Sequence, residues 1–408
     1  MIDTPKRQSA GRALALVGIV LVAANLRTAV AALSPIVTQV SADIPLGAVF
    51  IGVLGMLPPV CFAVFGIFAP VFTRRLGLEP VLILALAAMV LGHLARGLSG
   101  SLSWLIIGSV ITFAGMGVGN ILLPPLVKRY FPDRVGLVTS LYVTVMSLST
   151  LLPPLVAVPV ADAAGWRVSL GMWLAPALVA LLPWLTLLLR ERGLARSRAA
   201  PVVEEAEPAL LGRIWRSSIA WAIAVVFATS SLNAYAMFAW LPQLLIQSAG
   251  VTPGQAGTLL SLYAAVGLPC ALVIPSLTVR MRNPGLLVYA GMVAFVAGDL
   301  GLLLAPSTLT FLWVGLAGLG PLLFPLALVL INLRTRSHEG AVALSGFVQG
   351  VGYTLGALGP LVVGVLHQLT GGWQWPLIFL IATGLAISLA GAVISRPHLL
   401  EDDLRATR

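Results

Sequence analysis

Arg27 is the residue whose type and setting point most directly to chemistry. It lies about 14 residues into an apolar stretch from Ala13 to Val40, which at a 1.5 Å rise puts it roughly 20 Å along a helix. If that stretch crosses a bilayer, the guanidinium is too deep to reach either surface easily. Placing it there costs at least ~2.5–3.5 kcal/mol, and charges kept at such depth usually face a cavity and serve a substrate or ion. No Asp or Glu stands near the centre of any apolar stretch; Asp299, late in the ninth, is the only acid inside one. The balancing negative charge is therefore expected from a ligand. The planar donor fork of Arg suits a planar carboxylate-like or cyanate-like anion, whereas an organic cation would want a buried carboxylate. The competing reading is a structural clamp, with helix-end carbonyls satisfying the guanidinium.

Polar and aromatic residues recur at depth around this charge. Asn25 lies about 200° round a helix from Arg27, so the two cannot share a face, and Asn25 reads as structural. Asn120 follows a glycine run in the fourth stretch, and Tyr142 in the fifth is followed by Ser147 and Ser149. Asn233 and Trp240, seven apart in the seventh, share a face, while Tyr235 points elsewhere. Gln349 and Tyr353, four apart in the eleventh, stack on one face. Each is either a solute contact or an interhelical hydrogen bond worth about 0.6 kcal/mol.

His93 and Asp299 hold matching places in the third and ninth stretches. Both can titrate, so a proton relay is one reading and structural support the other. His367 reads as external, and His338 and His398 as cytoplasmic; none has metal-ligand spacing. Cys61 and Cys270 both fall in apolar stretches and read as small buried hydrophobes rather than a disulfide. No Ser/His/Asp arrangement, zinc spacing or GxxxxGK[ST] loop is present. Enzymatic and ATP-driven readings therefore fall away, and neither cofactor nor metal is expected.

The elements that must position these residues follow from composition. Of 408 residues 59% are hydrophobic and 9% charged, against about 25% charged in a soluble domain. A span needs about 20 mostly apolar residues, and twelve such stretches are expected. In the first half they are Ala13–Val40, Leu46–Phe72, Pro80–Leu98, Trp104–Val127, Leu137–Val160 and Val168–Leu189. In the second they are Ile219–Ile246, Gln255–Val279, Leu286–Leu304, Thr308–Ile331, Val342–Leu366 and Pro376–Ile394. The first is longer than a signal-peptide core and reads as an uncleaved span.

The net charge of +10 invites a nucleic-acid reading, but the positions argue against it. Apart from Arg27, Arg96 and Arg167, all 24 Lys and Arg lie at the termini or in every second connection. This positive-inside pattern places both termini in the cytoplasm of a multi-pass inner-membrane protein and requires an even number of spans.

Internal similarity appears at a shift of about 207 residues. Pro35 falls on Pro242, Ser41 on Ser248 and Trp166 on Trp373, and Arg74-Arg75 falls beside Arg280 and Arg282. The expected organisation is a six-helix half (1–189), a polar cytoplasmic linker (190–216) holding Glu204, Glu205 and Glu207, a second half (217–395) and a cytoplasmic tail (396–408). Two halves in the same orientation form a parallel repeat. The fold class is thus an all-α membrane protein of twelve transmembrane helices. Intramembrane glycines and prolines, such as Pro58-Pro59, Pro124-Pro125 and Pro153-Pro154, serve close packing and kinks.

Several motifs are more specific. Asn25-Leu26-Arg27, GVGNILLPP from Gly117, FPDRVGLVTSLY from Phe131, Gly165-Trp166-Arg167, LNAY from Leu232, WLP from Trp240 and FVQGVGYTLGALGP from Phe347 run through the whole chain. Together they resemble the cyanate and nitroimidazole porter branch (CynX/NimT) of the major facilitator superfamily. The resemblance implies a twelve-helix rocker-switch fold with a central site, and substrate-facing roles for Arg27, Asn120, Asn233 and Gln349. Two departures stand out. Thr28 replaces the Pro that usually follows the first-helix Arg, and Pro70 in GIFAPVFTRRLG stands where the superfamily's second loop carries Asp.

The function expected is secondary transport of a small planar anionic or weakly acidic organic solute by alternating access. The candidate solute contacts are Arg27, Asn120, Tyr142, Asn233, Trp240, Gln349 and Tyr353, with His93 and Asp299 as candidates for proton coupling. The expected partners are the small-molecule solute, the lipid bilayer and protons as candidate coupling ion, with no nucleic acid, and the expected state is a monomer. The rivals are a drug-efflux porter for neutral or cationic compounds, which predicts that Arg27 is dispensable, and a channel or sensor without coupled transport.

Overall fold

The structure, a computed structural model, describes residues 5–192 and 214–406. Most of the expected linker, with its three glutamates, lies outside the described residues. Helix is the only regular secondary structure among them. Hydrocarbon offers no water to backbone N–H and C=O groups, so a spanning segment must satisfy them within itself.

Eleven helices among the described residues are long and apolar enough to cross a membrane, and Gly11–Asn25 is a shorter apolar segment. The difference from twelve full spans lies in the first stretch, which is not one helix. Helix α1 (Pro5–Asn25) ends two residues before Arg27. Hydrogen-bonded turns cover residues 26–32, a 3₁₀ turn follows at Ser34–Ile36, and α2 (Val37–Asp43) resumes the path. Then come α3 (Ala48–Leu76), α4 (Leu78–Gly97), α5 (Leu102–Tyr130), α6 (Val135–Ala164), α7 (Trp166–Gly171) and α8 (Leu174–Arg192). After the linker run α9 (Ser218–Ala249), α10 (Pro253–Arg280), α11 (Gly285–Leu304), α12 (Thr310–Leu319), α13 (Leu323–Leu333), α14 (His338–Thr370), α15 (Gln374–Ile394) and a short α16 (Leu400–Ala406). The tenth expected span is also interrupted, by a 3₁₀ turn at Gly320–Leu322 that contains Pro321.

Hydroxyl side chains start several helices. Ser101, Ser217 and Ser337 each accept from a backbone N–H of the first turn, and Thr252 with Gln255 forms a reciprocal capping box. Left-handed glycines, Gly250 (φ 68°) and Gly371 (φ 69°), end α9 and α14, where a side chain would be strained.

The chain divides into two compact units, Met1–Leu46 with Cys61–Val203, and Gly47–Val60 with Glu204–Arg408. In the first, glycines let α4 and α5 approach closely. A Cβ at Gly92 would fall 2.6 Å from the Thr112 backbone nitrogen, and one at Gly115 2.4 Å from the Ala85 carbonyl. In the second, α14 lays Gly352, Gly356 and Gly359 against Phe227, Ser231 and Leu232 of α9. That face accounts for much of the glycine spacing in FVQGVGYTLGALGP. Ile219, Ile223, Phe227, Leu323, Leu344 and Phe347 belong to the buried apolar core of this unit.

The tail closes one end of the second unit. Asp403 accepts from the Ser217 hydroxyl (2.7 Å) and the Ile219 N–H (3.2 Å) at the start of α9, and contacts the His398 ring. Glu401 accepts from the N–H groups of Arg336 (2.8 Å) and Ser337 (3.1 Å) ahead of α14. Two tail carboxylates thus sit at two helix N-termini, where the dipole and unpaired N–H groups favour negative charge.

Candidate functional site

The interruption of the first span is held open by side chains. A helix that stops leaves its last carbonyls without intrahelical partners. Here the Thr28 hydroxyl donates to the Asn25 carbonyl (3.1 Å) and Arg27 Nη1 to that of Leu26 (3.2 Å), while the Ser149 hydroxyl, bonded at 2.7 Å to the Met146 carbonyl of its own helix, also reaches that of Ala23 (3.4 Å). Asn25 is fully buried and donates to the carbonyls of Leu21 (2.8 Å) and Pro176 (3.1 Å), which ties the end of α1 to α8. Asn25 is structural, as its angular position suggests. Thr28, noted as a departure from the family pattern, has a role as a cap.

Arg27 is half-buried in the turn beyond α1, not within a helix. Its guanidinium carbon stands 5.3 Å from the centre of the Phe62 ring, on α3. Among the described residues it has no ion pair, and the bond to Leu26 is its one hydrogen bond. The remaining N–H donors of a permanently charged group are available to a ligand, beside an aromatic face.

Glycines of α5 make this arrangement possible. A Cβ at Gly117 would fall 3.1 Å from Phe62 Cα and 3.2 Å from the Cys61 carbonyl, and one at Gly119 2.7 Å from Leu26 Cδ2. GVGN is thus where α5 accommodates both the aromatic residue and the break. Asn120, next in sequence, is half-buried and donates to the Met116 carbonyl (3.0 Å). Tyr142 is nearly buried on α6. It lies two turns, about 10 Å, before Ser149, on the helix face that meets the break. Arg27 and Phe62 thus meet at the discontinuity, while Asn120 and Tyr142 stand on α5 and α6, the two helices that touch it.

The four candidates of the second unit divide differently. Gln349 (bonded to the Ser345 hydroxyl, 2.8 Å) and Tyr353 (its ring 5.1 Å from that of Phe227) are half-buried on one face of α14. Asn233 is fully buried and donates to the Thr229 carbonyl (3.0 Å) and the Thr383 hydroxyl of α15 (3.1 Å). Trp240 is also buried; its ring N–H donates to the Pro360 carbonyl (2.8 Å), and the ring packs on Trp373 and His367. Spacing alone put Asn233 and Trp240 on one face, but they are committed to different neighbouring helices.

His93 and Asp299 are fully buried. Neither carboxyl oxygen of Asp299 has a hydrogen-bond partner, and the similarly unpartnered hydroxyl of Tyr263 lies within electrostatic reach. Both ring nitrogens of His93 lack a partner in good geometry, the Leu170 backbone lying alongside. Among the described residues no group of three His, Cys, Asp or Glu is placed to hold a metal.

Two ionic clusters frame the first unit. At the end where α4 begins and α5 finishes, buried Glu79 accepts from Arg129 (2.9 Å) and from the Tyr130 hydroxyl (2.9 Å), while Arg12 pairs with Asp133. At the other end Asp43 accepts from the Trp166 ring (2.9 Å) and Arg167 (2.6 Å), whose guanidinium also lies over the Trp166 ring. The Asp of FPDR and the Trp-Arg pair of Gly165-Trp166-Arg167 thus fasten α1, α2 and α6 to their neighbours. Glu79, read from sequence as outside a span, is the acid that charge patterning passed over.

The Major Facilitator Superfamily model matches residues 15–357. The chain belongs to this superfamily. It is 34% identical over 389 residues to an uncharacterized transporter, YycB, of Bacillus subtilis (strain 168), with 94% of each chain covered. It is 32% identical over 394 residues to the 2-nitroimidazole transporter of Escherichia coli (strain K12), covering 94% of this chain and 96% of that one. To the cyanate transport protein CynX of the same organism it is 25% identical over 392 residues, covering 94% and 98%. The major facilitator fold is also that of a bacterial homolog of the human lysosomal transporter Spinster, solved inward-facing and unoccupied. That likeness has a TM-score of 0.74 at 15% identity, over 98% of this chain and 99% of that one. This major facilitator protein is a multi-pass membrane transporter of the cyanate and nitroimidazole branch, and not an enzyme.

Proposed function

We propose that the protein carries a small, planar, anionic or weakly acidic organic solute across the inner membrane by alternating access, with Arg27 as the principal binding residue. The observation behind this reading is a guanidinium released from the helix at a break in the first span, with no carboxylate partner among the described residues and braced by the buried Phe62 ring. Its remaining N–H donors match the two oxygens of a carboxylate or nitro group. Asn120 and Tyr142 supply further polar contacts in the first unit. One relative is named for 2-nitroimidazole, a planar nitro-heterocycle, and another for cyanate, a small anion.

Charge sets the energetics. With the interior negative, accumulating a monoanion costs about 2.3 kcal/mol per 100 mV, so uptake needs a co-transported proton or exchange, whereas export runs with the field. We assign proton exchange to Asp299, an acid enclosed in α11 with neither oxygen bonded. The alternating basic connections support cytoplasmic termini, and we take the working unit to be a monomer. Counterflow in proteoliposomes tests the proposal. Unlabelled 2-nitroimidazole or benzoate inside should drive transient accumulation of labelled solute in wild type, and Arg27→Gln should abolish it. A drug-efflux porter would retain counterflow of a cationic dye in that variant, and a pore would show no counterflow at all.

A further inference from the structure

We propose that His93 and Arg96 form a second, buried binding site, for a small inorganic monoanion, inside the first unit. Arg96 stands in the last turn of α4. Sequence alone places it at the membrane surface, at the end of a connection, yet it is only 1% exposed. Its Nε and Nη1 have no hydrogen-bond partner. His93, one turn earlier on the same helix face, is wholly buried; the Leu170 backbone lies alongside its ring, and neither ring nitrogen has a hydrogen bond of good geometry. Two unpaired guanidinium nitrogens and an imidazole are therefore gathered on adjacent turns of one helix.

The surroundings leave the charge uncompensated. Backbone and side chain of Arg96 are pressed against α5, where a Cβ at Gly108 would meet its N at 3.0 Å and its Cγ at 3.1 Å. Among the described residues the Phe113 ring faces the guanidinium, 5.9 Å from its central carbon. The acids at this end are already bonded, Asp43 to Trp166 and Arg167 and Asp162 to Gln39. Arg167 in turn donates to the Ser99 carbonyl (3.1 Å), and the Ser99 hydroxyl donates to that of Arg96 (2.8 Å), so the neighbouring polar groups are satisfied without touching the guanidinium nitrogens.

A buried carboxyl can discharge itself by taking a proton, but a guanidinium does not lose one in proteins. A charge that stays must be paired, because isolated burial is strongly unfavourable. Among the described residues no group pairs this charge, and the geometry points to an anion. Its charge is single, to match one guanidinium. Its size is small, since both donors lie in the closed interior. A neutral His93 donates one N–H to the same ion. This site differs from the one at Arg27 in helix, depth and exposure, and it does not rest on the transport reading.

The test is thermal unfolding of the purified full-length protein in detergent at constant ionic strength, with chloride exchanged for gluconate, an anion too large for the site. A melting temperature several degrees higher in chloride, saturating with concentration, is expected. The same shift should persist in Arg27→Gln, which separates the two sites. Arg96→Met removes the buried charge while keeping an apolar side chain of comparable length; it should fold, melt at least as high as wild type in gluconate, and show no chloride shift. If Arg96→Met does not fold, His93→Phe and the wild-type titration still decide. The proposal is overturned if wild type melts identically in the two salts, if His93→Phe keeps the full shift, or if Arg27→Gln alone removes it.

Discussion

The guanidinium of Arg27 lies 5.3 Å from the centre of the Phe62 ring, in a turn where the first membrane span has stopped being a helix. The buried ring braces the cation, which keeps most of its donors free. A cation–π contact of this kind is worth about 0.5–2 kcal/mol. Phe62→Leu should therefore lower the stability of the first unit by about that amount. Paired thermal melts of wild type and variant measure the difference.

The glycines of α5 make a sharper distinction. At Gly117 a Cβ would press on the Phe62 backbone at 3.1 Å and the Cys61 carbonyl at 3.2 Å; at Gly119 it would meet the end of the Leu26 side chain. Backbone cannot yield as a leucine methyl can. Gly117→Ala should cost about 1–3 kcal/mol, as overpacking does, and Gly119→Ala less. Paired thermal melts check the order, and equal losses would contradict the geometry.

Glu79 is nearly enclosed, with Arg129 and Tyr130 as its partners. Removing one member of a buried pair strands the other. Glu79→Ala is expected to destabilise the first unit by about 2–4 kcal/mol, below the full buried-pair range because Arg129 is partly exposed. The double change Glu79→Leu with Arg129→Leu should recover much of the loss. A double-mutant cycle in thermal stability reads the coupling.

The tail clasp has a defined pH response. Burial raises the Asp403 carboxyl, but hydrogen bonds from Ser217 and the His398 ring, with the Ile219 N–H, outweigh it and leave the group below its ordinary value of 3.8. A depressed carboxyl contributes stability that is fully present above the unfolded value and is lost as pH falls through the folded one. Docking of α16 should thus be constant from pH 8 to about pH 5 and fail only under strong acid. Asp403→Asn should expose the tail to carboxypeptidase at neutral pH, with rates compared by mass spectrometry.

Much of the architecture was legible because hydrocarbon permits so few structures. Span positions and membrane residence follow from the recurring apolar runs. The break at residues 26–33 was not legible. It depends on the Thr28 and Ser149 hydroxyls taking carbonyls that a continuous helix would have used, and a hydroxyl in an apolar run has several other possible partners. Phe62 gave no signal, since one phenylalanine in a lipid-like stretch is unremarked until a charge is seen above it. Arg96 was assigned to the surface by its closeness to a helix end, whereas Gly108 lets α5 close over it. Asn233 and Trp240 shared a face by spacing, but α14 and α15 divide that face between them.

The most direct measurement is the equilibrium affinity of purified protein for 2-nitroimidazole and for benzoate, in wild type, Arg27→Lys and Arg27→Gln. The account predicts at least a tenfold loss for the lysine variant, about 1.4 kcal/mol, because a point charge cannot replace the planar fork, and no measurable binding for glutamine. Unchanged affinity in Arg27→Gln, with the ligand still bound saturably, would contradict it.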